Sequence, residues 1–300
     1  MSATIKRNGV RGRLLSKEPL AAHTSWRVGG PADRYFEPAD REDLLAFIAS
    51  LPAREPITWL GLGSNLLVRD GGVRGTVICL HGALDGLASA GDHEIYAEAG
   101  VHCARLAKYA QARRRAGLGF MAGIPGTVGG ALAMNAGAWG GETWPQVLAV
   151  EAVYRDGRSE WLSPGDFQTA YRHVKTPSGV LGFLGARFRV GADPSGEHER
   201  VTREWLARRK ATQPVGKPTA GSTFRNPPGD HAARLIESCG LKGERIGGAE
   251  ISTLHANFIV TEAGAIAADV EALIQRVRDV VREKAGVDLQ PEVRIVGVAA

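Results

Sequence analysis

Apolar positions along this chain switch repeatedly between helical and strand-like spacing. Across residues 41–51, Leu44, Leu45, Phe47, Ile48 and Leu51 recur at three- and four-residue intervals, which predicts a helix that Pro52 ends. Ile57-Thr58-Trp59-Leu60 reads as a short buried strand that runs into Gly61-Leu62-Gly63-Ser64-Asn65. Leu66-Leu67-Val68 resumes the strand, Asp70-Gly71-Gly72 turns it, and residues 76–80 return. A second helix is predicted over residues 102–116, ending in Arg113-Arg114-Arg115. The passage 117–141 that follows holds nine glycines and leads to strands at 147–154 and 180–190. Turn formers dominate residues 191–196, which read as a linker. The last third predicts a basic helix at 199–210, a Pro/Gly loop at 213–229 and a helix at 231–238. A longer helix carries one apolar face through Ile266, Val270, Leu273, Ile274, Val277, Val280 and Val281, and residues 289–298 read as a terminal strand. Helices and strands interleaved in this way predict an α/β (α+β) chain of two or three packed units.

Composition narrows the function classes. Hydrophobic residues at 44% and charged residues at 23% match a folded globular chain and exclude a disordered one. Glycine is the outlier, 39 of 300 residues, and it clusters without a fixed period, which excludes collagen and points to loops that a ligand approaches closely. Thirty-seven Lys and Arg against 32 Asp and Glu give +5, a modest bias toward acidic or phosphorylated ligands. Cys79, Cys103 and Cys239 are odd in number and form no CxxC, so neither a disulfide framework nor a zinc site is expected, and a reducing, cytoplasmic setting fits. No histidine pair has metal-ligand spacing, so no metal is expected. The N-terminus is basic (Lys6, Arg7, Arg11, Arg13) but lacks the apolar core of a secretion signal, and no run approaches the roughly 18 apolar residues of a membrane span. The clusters Arg113-Arg114-Arg115 and Arg208-Arg209-Lys210 fall at predicted helix ends without interleaved aromatics. They read as solvated helix termini, not a nucleic-acid surface.

Two glycine loops carry the chemistry. In the first, Gly61, Gly63, Ser64 and Asn65 follow a strand, so successive backbone N–H groups can form a nest for a pyrophosphate; a tight turn between strands would have the same composition. It is not the GxGxxG dinucleotide fingerprint, because Leu66 takes the third glycine position and a strand follows. The second loop, Gly123-Ile124-Pro125-Gly126-Thr127-Val128-Gly129-Gly130, continues to Asn135-Ala136 almost without charge. So many bare α-carbons imply a large, flat or phosphorylated ligand lying on the backbone, and one such loop per α/β unit suits an extended dinucleotide.

The ordered set His23-Thr24-Ser25-Trp26-Arg27-Val28-Gly29-Gly30-Pro31-Ala32-Asp33, GLGSNLLV, AGIPGTVGGALAMNAGAWG, AGSTFRNP, LKGERIGGAEIS, HANFIV and PEVRIVG resembles the UDP-N-acetylenolpyruvoylglucosamine reductase (MurB) family over nearly the whole chain. The resemblance implies a vanillyl-alcohol-oxidase/PCMH-type FAD-binding fold of two subdomains, 1–80 and 81–191, with the FAD-binding region at about 26–191. A C-terminal α+β substrate domain at 197–300 follows, whose strand 289–298 brings Glu292 back to the flavin. The length resembles the short form without the tyrosine-loop insertion. The implied activity is FAD-mediated, NADPH-dependent reduction of UDP-N-acetylglucosamine enolpyruvate to UDP-N-acetylmuramate, serving peptidoglycan synthesis and thereby cell-wall growth, cell shape and division.

The same resemblance assigns the site. Ser222 matches the proton donor, Glu292 the catalytic acid and Arg172 the arginine that polarises the substrate carboxylate, a task suited to a permanently charged fork. Without it, Ser222 reads as a turn cap, Glu292 as an outward strand position and Arg172 as one surface arginine among many. FAD contacts are expected from Gly61, Gly63, Ser64, Asn65, Leu66, Gly123, Ile124, Pro125, Gly126, Thr127, Gly129, Gly130, Asn135, Ala136 and Arg294. Substrate contacts are expected from Tyr171, Arg225, Asn226 and Lys242, while His23 and His255 read as structural. The chain departs from the family at Val174 and Thr176, in a stretch usually YRxSxF, and at Thr253-Leu254, where Glu-Lys is common. A monomer with small-molecule partners, and neither nucleic acid nor membrane, is expected. A flavin oxidase, a non-catalytic flavin binder and a nucleic-acid-binding module are the competing classes.

Overall fold

The structure is a computed structural model that describes every residue except Met1, Lys6 and Asn8; Lys6 of the basic N-terminal run therefore lies outside the described residues. The first unit is a five-stranded mixed sheet in the order Ala3–Thr4, Arg13–Pro19, Pro31–Glu37, Val73–Cys79, Ile57–Leu60. Helix α1 (Arg41–Ala49) starts at Asp40, whose side chain accepts from Asp43 N, and it buries Leu44, Phe47 and Ile48. A second, antiparallel sheet follows in the order Ser159–Leu162, Val147–Tyr154, Val180–Arg189, Glu94–Glu98, Leu87–Ser89. Helices α2 (Cys103–Ala112) and α3 (Val128–Met134) pack on it through Leu106, Val128 and Leu132. The two sheets share a core in which Phe36, Leu44 and Ile48 of the first meet Val153 and Leu184 of the second.

Helix α2 stops earlier than the predicted 116 because Arg114 turns into the left-handed region at φ 54°. Arg115–Ala116 then forms a short strand against Gly191–Ala192, so the expected linker is tied to the second unit. Asp193, buried at the end of that stretch, accepts from Glu197 N through Oδ1 and opens helix α4 (Glu197–Thr212) two residues before the predicted start.

The remaining unit contains α5 (Ala232–Ser238), α6 (Ala267–Ala285) and a sheet of Arg245–Ile246, Ala249–Ile251 and Ile259–Thr261. Its core takes Trp26, Val28 and Leu67 from the first unit. Trp26 is fully buried, donates Nε1–H to Ile259 O at 2.8 Å, and accepts at its own carbonyl from Thr261 Oγ1 at 2.6 Å. The predicted terminal strand is shorter than 289–298: residues Arg294–Val296 pair parallel with Leu66–Val68, 228 positions away, as Arg294↔Leu66 shows (294 − 66). No described helix is long and apolar enough to cross a membrane.

The N-terminus of α6 is capped from the first unit. Ile266, at the N-cap, has no polar side chain; Asp70 instead accepts from Ala267 N (2.8 Å) and Ala268 N (2.9 Å). Asp70→Ala is expected to lose about 1 kcal/mol of stability, read as a lower midpoint in denaturant. An unchanged midpoint would show that solvent caps the helix equally well.

Candidate active site

A cavity of about 870 Å³ lies where the three units meet, lined by both glycine loops, the 171–176 turn and strand, the end of α4, the Ser222 loop and the strand after Glu292. The loops pack reciprocally, bare carbon against hydroxyl. A Cβ on Gly61 would sit 2.5 Å from Thr127 Oγ1, and one on Gly126 would sit 3.2 Å from Ser64 Oγ. Among the described residues, the N–H groups of Leu62, Gly63, Ser64, Asn65, Gly126 and Thr127 meet no protein acceptor. Backbone donors are rarely left unpaired away from water, and this concentration on two facing loops has the donor chemistry of an anion cradle. The cradle, with flat apolar wall from Ile124, Leu66 and Ala136, fits a flavin dinucleotide: paired nests for its pyrophosphate and an uncharged floor for its ring.

Arg172, Glu292 and Ser222, the residues expected to be catalytic, come from three separate segments. Strands Gln168–Ala170 and His173–Lys175 are joined by the two-residue turn Tyr171-Arg172. Arg172 holds φ 54°, a left-handed conformation that a non-glycine residue keeps only when its surroundings impose it. Those surroundings are Gly137 O, which accepts from Arg172 Nη2 at 2.9 Å, and Glu292, whose Oε1 lies 2.7 Å from Arg172 Nε. The second contact is an ion pair whose Nε–H is not aimed at the carboxylate oxygen. Both side chains are largely buried. Burial pushes the Glu292 carboxyl above the usual carboxylate range, and the positive charges of Arg172 and Arg225 pull against that without cancelling it.

Ser222 reaches the wall on a loop clamped from below. Asn257, buried, accepts from Phe224 N through Oδ1 and donates Nδ2–H to Phe224 O, while its own carbonyl accepts from Thr223 N. The Ser222 hydroxyl makes no hydrogen bond to the described residues, so it is free for a ligand. Thr223 O in turn accepts from Glu292 N, which sets the serine loop beside the glutamate. Asn65 Nδ2 donates to Glu292 O at 3.3 Å and Asn65 O accepts from Arg294 N at 2.9 Å, so the first glycine loop grips the same segment.

All the glycine-loop positions expected to contact FAD line the cavity except Asn135, and Arg294 lines it too. Asn135 is spent on local structure. It ends α3 at φ 44°, accepts from Trp144 N, and donates to Glu142 and to Ala170 O. The four expected substrate contacts stand off the wall: Tyr171 is exposed beside Arg172, Asn226 caps α5 by accepting from Ala232 N, Lys242 pairs with Glu237, and Arg225 stands close enough to Glu292 for its charge to be felt there. Both nitrogens of His23 are engaged, with Glu18 and Tyr35, as a structural histidine requires. Of the departures, Val174 and Thr176 line the cavity, whereas Thr253 and Leu254 do not.

One cluster differs from its expected role. Arg208 and Lys210 are exposed as predicted, but Arg209 turns inward, donates Nη1–H to Gly123 O at 2.9 Å and lines the cavity. Burial lowers its pKa from the usual arginine value. Trp139 and Gln213, also on the wall, are further residues that sequence reasoning did not single out.

A family model described as "UDP-N-acetylenolpyruvoylglucosamine reductase, C-terminal domain" matches residues 213–296, and one described as "FAD binding domain" matches residues 32–163. The UDP-N-acetylenolpyruvoylglucosamine reductase of Methylococcus capsulatus is 55% identical over 96% of this chain and 95% of its own, and that of Alkalilimnicola ehrlichii is 54% identical over 96% of each. The crystal structure of the Thermus caldophilus enzyme superposes with a TM-score of 0.82 at 36% identity, over 96% of this chain and 99% of that one. The expected FAD-binding fold with a separate C-terminal domain is borne out, and the chain belongs to the UDP-N-acetylenolpyruvoylglucosamine reductase family of FAD-dependent enzymes.

Proposed function

We propose that this chain reduces the enolpyruvyl ether of UDP-N-acetylglucosamine enolpyruvate to the lactyl ether of UDP-N-acetylmuramate, drawing electrons from NADPH, as a cytoplasmic and monomeric step of peptidoglycan synthesis. The observation that carries this reading is the Arg172–Glu292 pair at 2.7 Å beside an unengaged Ser222 hydroxyl, on the wall of a cavity lined with free N–H groups. Bound FAD would supply hydride chemistry, held by the N–H groups of residues 62–65, 126 and 127.

What the chain's own residues do follows from where charge develops. Addition of hydride at the β-carbon of the enolpyruvyl group leaves an electron pair on the α-carbon, delocalised into the neighbouring carboxylate. Arg172, permanently charged, neutralises the substrate carboxylate and the enolate charge that grows on it. Glu292, whose carboxyl is biased toward its protonated form by burial, can donate a hydrogen bond to the same oxygens, which an ionised glutamate could not. Ser222 delivers its hydroxyl proton to the α-carbon. A serine is a weak acid, but an enolate carbon is a strong base, and the Asn257 clamp keeps the loop in place. The resulting alkoxide is reprotonated from solvent.

NADPH consumption with and without UDP-N-acetylglucosamine enolpyruvate tests the activity. Fast consumption only with that substrate is expected, and flavin reduction that ignores it would move the chain to another acceptor. Ser222→Ala should leave flavin reduction by NADPH intact and slow flavin reoxidation by substrate by about 10² to 10⁴-fold; equal loss in both half-reactions would make Ser222 structural. Because the Glu292 value is raised in the folded state, the native chain holds a proton that the unfolded chain releases above the ordinary carboxyl value of 4.5. Its contribution to stability is therefore intact below that pH and is lost as pH rises toward the raised value. Glu292→Gln, which cannot ionise, is expected to gain stability relative to the parent apo-protein as pH rises through this window, measured by denaturant titration; a gap that narrows would reverse the sign.

A further inference from the structure

Helix α4 lies in the stretch 164–212 that neither family model matches. It is an unusual helix to find fixed in place, because only Thr202 of its 16 residues is buried and no apolar stripe holds it. Three contacts do. A Cβ on Gly119 would sit 2.5 Å from Thr202 Oγ1, so the two segments touch there. Trp205 stacks on Trp139, with ring centroids 5.2 Å apart and planes at 10°. Arg209 donates to Gly123 O. Positions 202, 205 and 209 share one helix face by their spacing, and their partners Gly119, Trp139 and Gly123 all lie in the glycine-rich passage 117–141.

Gly123 opens the second glycine loop, as the last residue of the short 3-10 turn Gly119–Gly123. Trp139 occupies the space where a Cβ on Gly123 would be, 2.2 Å from its ring, so position 123 must stay glycine and keeps a glycine's backbone freedom. Around Gly126 and Thr127 the loop is pinned by main chain, Gly126 O accepting from Cys103 N and Val128 N donating to Val101 O, so the anchor still wanted is one at its Gly123 end. Arg209 supplies it. One N–H holds Gly123 O, another, from Nε, holds Gln213 Oε1 at 3.1 Å, and a guanidinium has five. The remaining three have no acceptor among the described residues, on a side chain that lines the cavity.

We propose that Arg209 is a positioning residue for the cofactor: it fixes the Gly123 peptide so that the second loop is preformed as an anion cradle, and it offers its spare N–H groups to FAD. This rests on FAD being the ligand of the two glycine loops, so FAD binding by the parent protein is measured first and separately; its failure would sink that reading, not the role of Arg209. Apo-protein is then titrated with FAD by flavin fluorescence, and the melting temperature of the same apo-protein is recorded. Arg209→Met is expected to raise the dissociation constant about tenfold or more, while apo melting stays within about 2 °C of the parent. Arg209→Lys, which keeps the charge and one donor within reach of Gly123 O, should fall between. Parent-like FAD affinity in Arg209→Met overturns the proposal. So does a loss of affinity accompanied by a clear fall in apo melting temperature and not relieved by lysine, which would make Arg209 an anchor of α4 alone.

Discussion

The site depends on one parallel pairing, Arg294–Val296 against Leu66–Val68. On its upstream side this strand carries Glu292; on its partner's upstream side lies the first glycine loop. The backbone bond from Arg294 N to Asn65 O and the side-chain bond from Asn65 to Glu292 O make the Glu292 segment and the first glycine loop parts of one short ladder. Ser222 joins through Thr223 O and Glu292 N. Glu292, the Ser222 loop and the first glycine loop are thus fixed to one another by main-chain hydrogen bonds, whose geometry leaves little room for drift. Only Arg172 arrives on a turn, and it pays for its reach with a left-handed backbone.

The electrostatics of Glu292 are set by burial and charge pulling in opposite directions. Burying a carboxylate favours its neutral form, and a guanidinium 2.7 Å away favours its charged form. Here desolvation is the larger effect on Glu292, with Arg172 and Arg225 opposing it. A carboxyl poised in this way can act as a hydrogen-bond donor without leaving the arginine's side. Arg172 stays charged throughout, so the site retains a cation for an anionic ligand whichever form Glu292 takes.

Much of this was legible in the residues. The α1 and α6 periodicities placed both helices because each buries an apolar stripe, and the glycine loops were legible as a cluster of bare backbone, part of which close packing requires, as at Gly61 against Thr127 and Gly123 against Trp139. The identities of Ser222, Glu292 and Arg172 came from family motifs, since a lone serine, glutamate or arginine has no periodic signature. Arg209 was misread for a physical reason: a helix with one buried threonine gives apolar spacing no phase, so which basic residue faces inward could not be deduced. Asn135 and Asn226 serve nearby backbone, as asparagine in a loop is apt to do: Asn135 accepts from Trp144 N and Asn226 from Ala232 N. Trp139 escaped notice because a bulky residue at φ 49° runs against every local preference.

The span of the ladder has a consequence for how the chain comes into being. Asn65 and Glu292 are 227 positions apart, so at roughly 5–20 residues per second the first glycine loop leaves the ribosome on the order of 10 s or more before its partner strand exists. Throughout that interval Leu66–Val68 is an unpaired strand edge, and Trp26, Val28 and Leu67 lack most of the core that later covers them. The nascent chain therefore passes through a long period in which it can neither close its cofactor cradle nor hide that edge. Chaperone engagement during synthesis, and slow recovery after unfolding, are what such a topology entails.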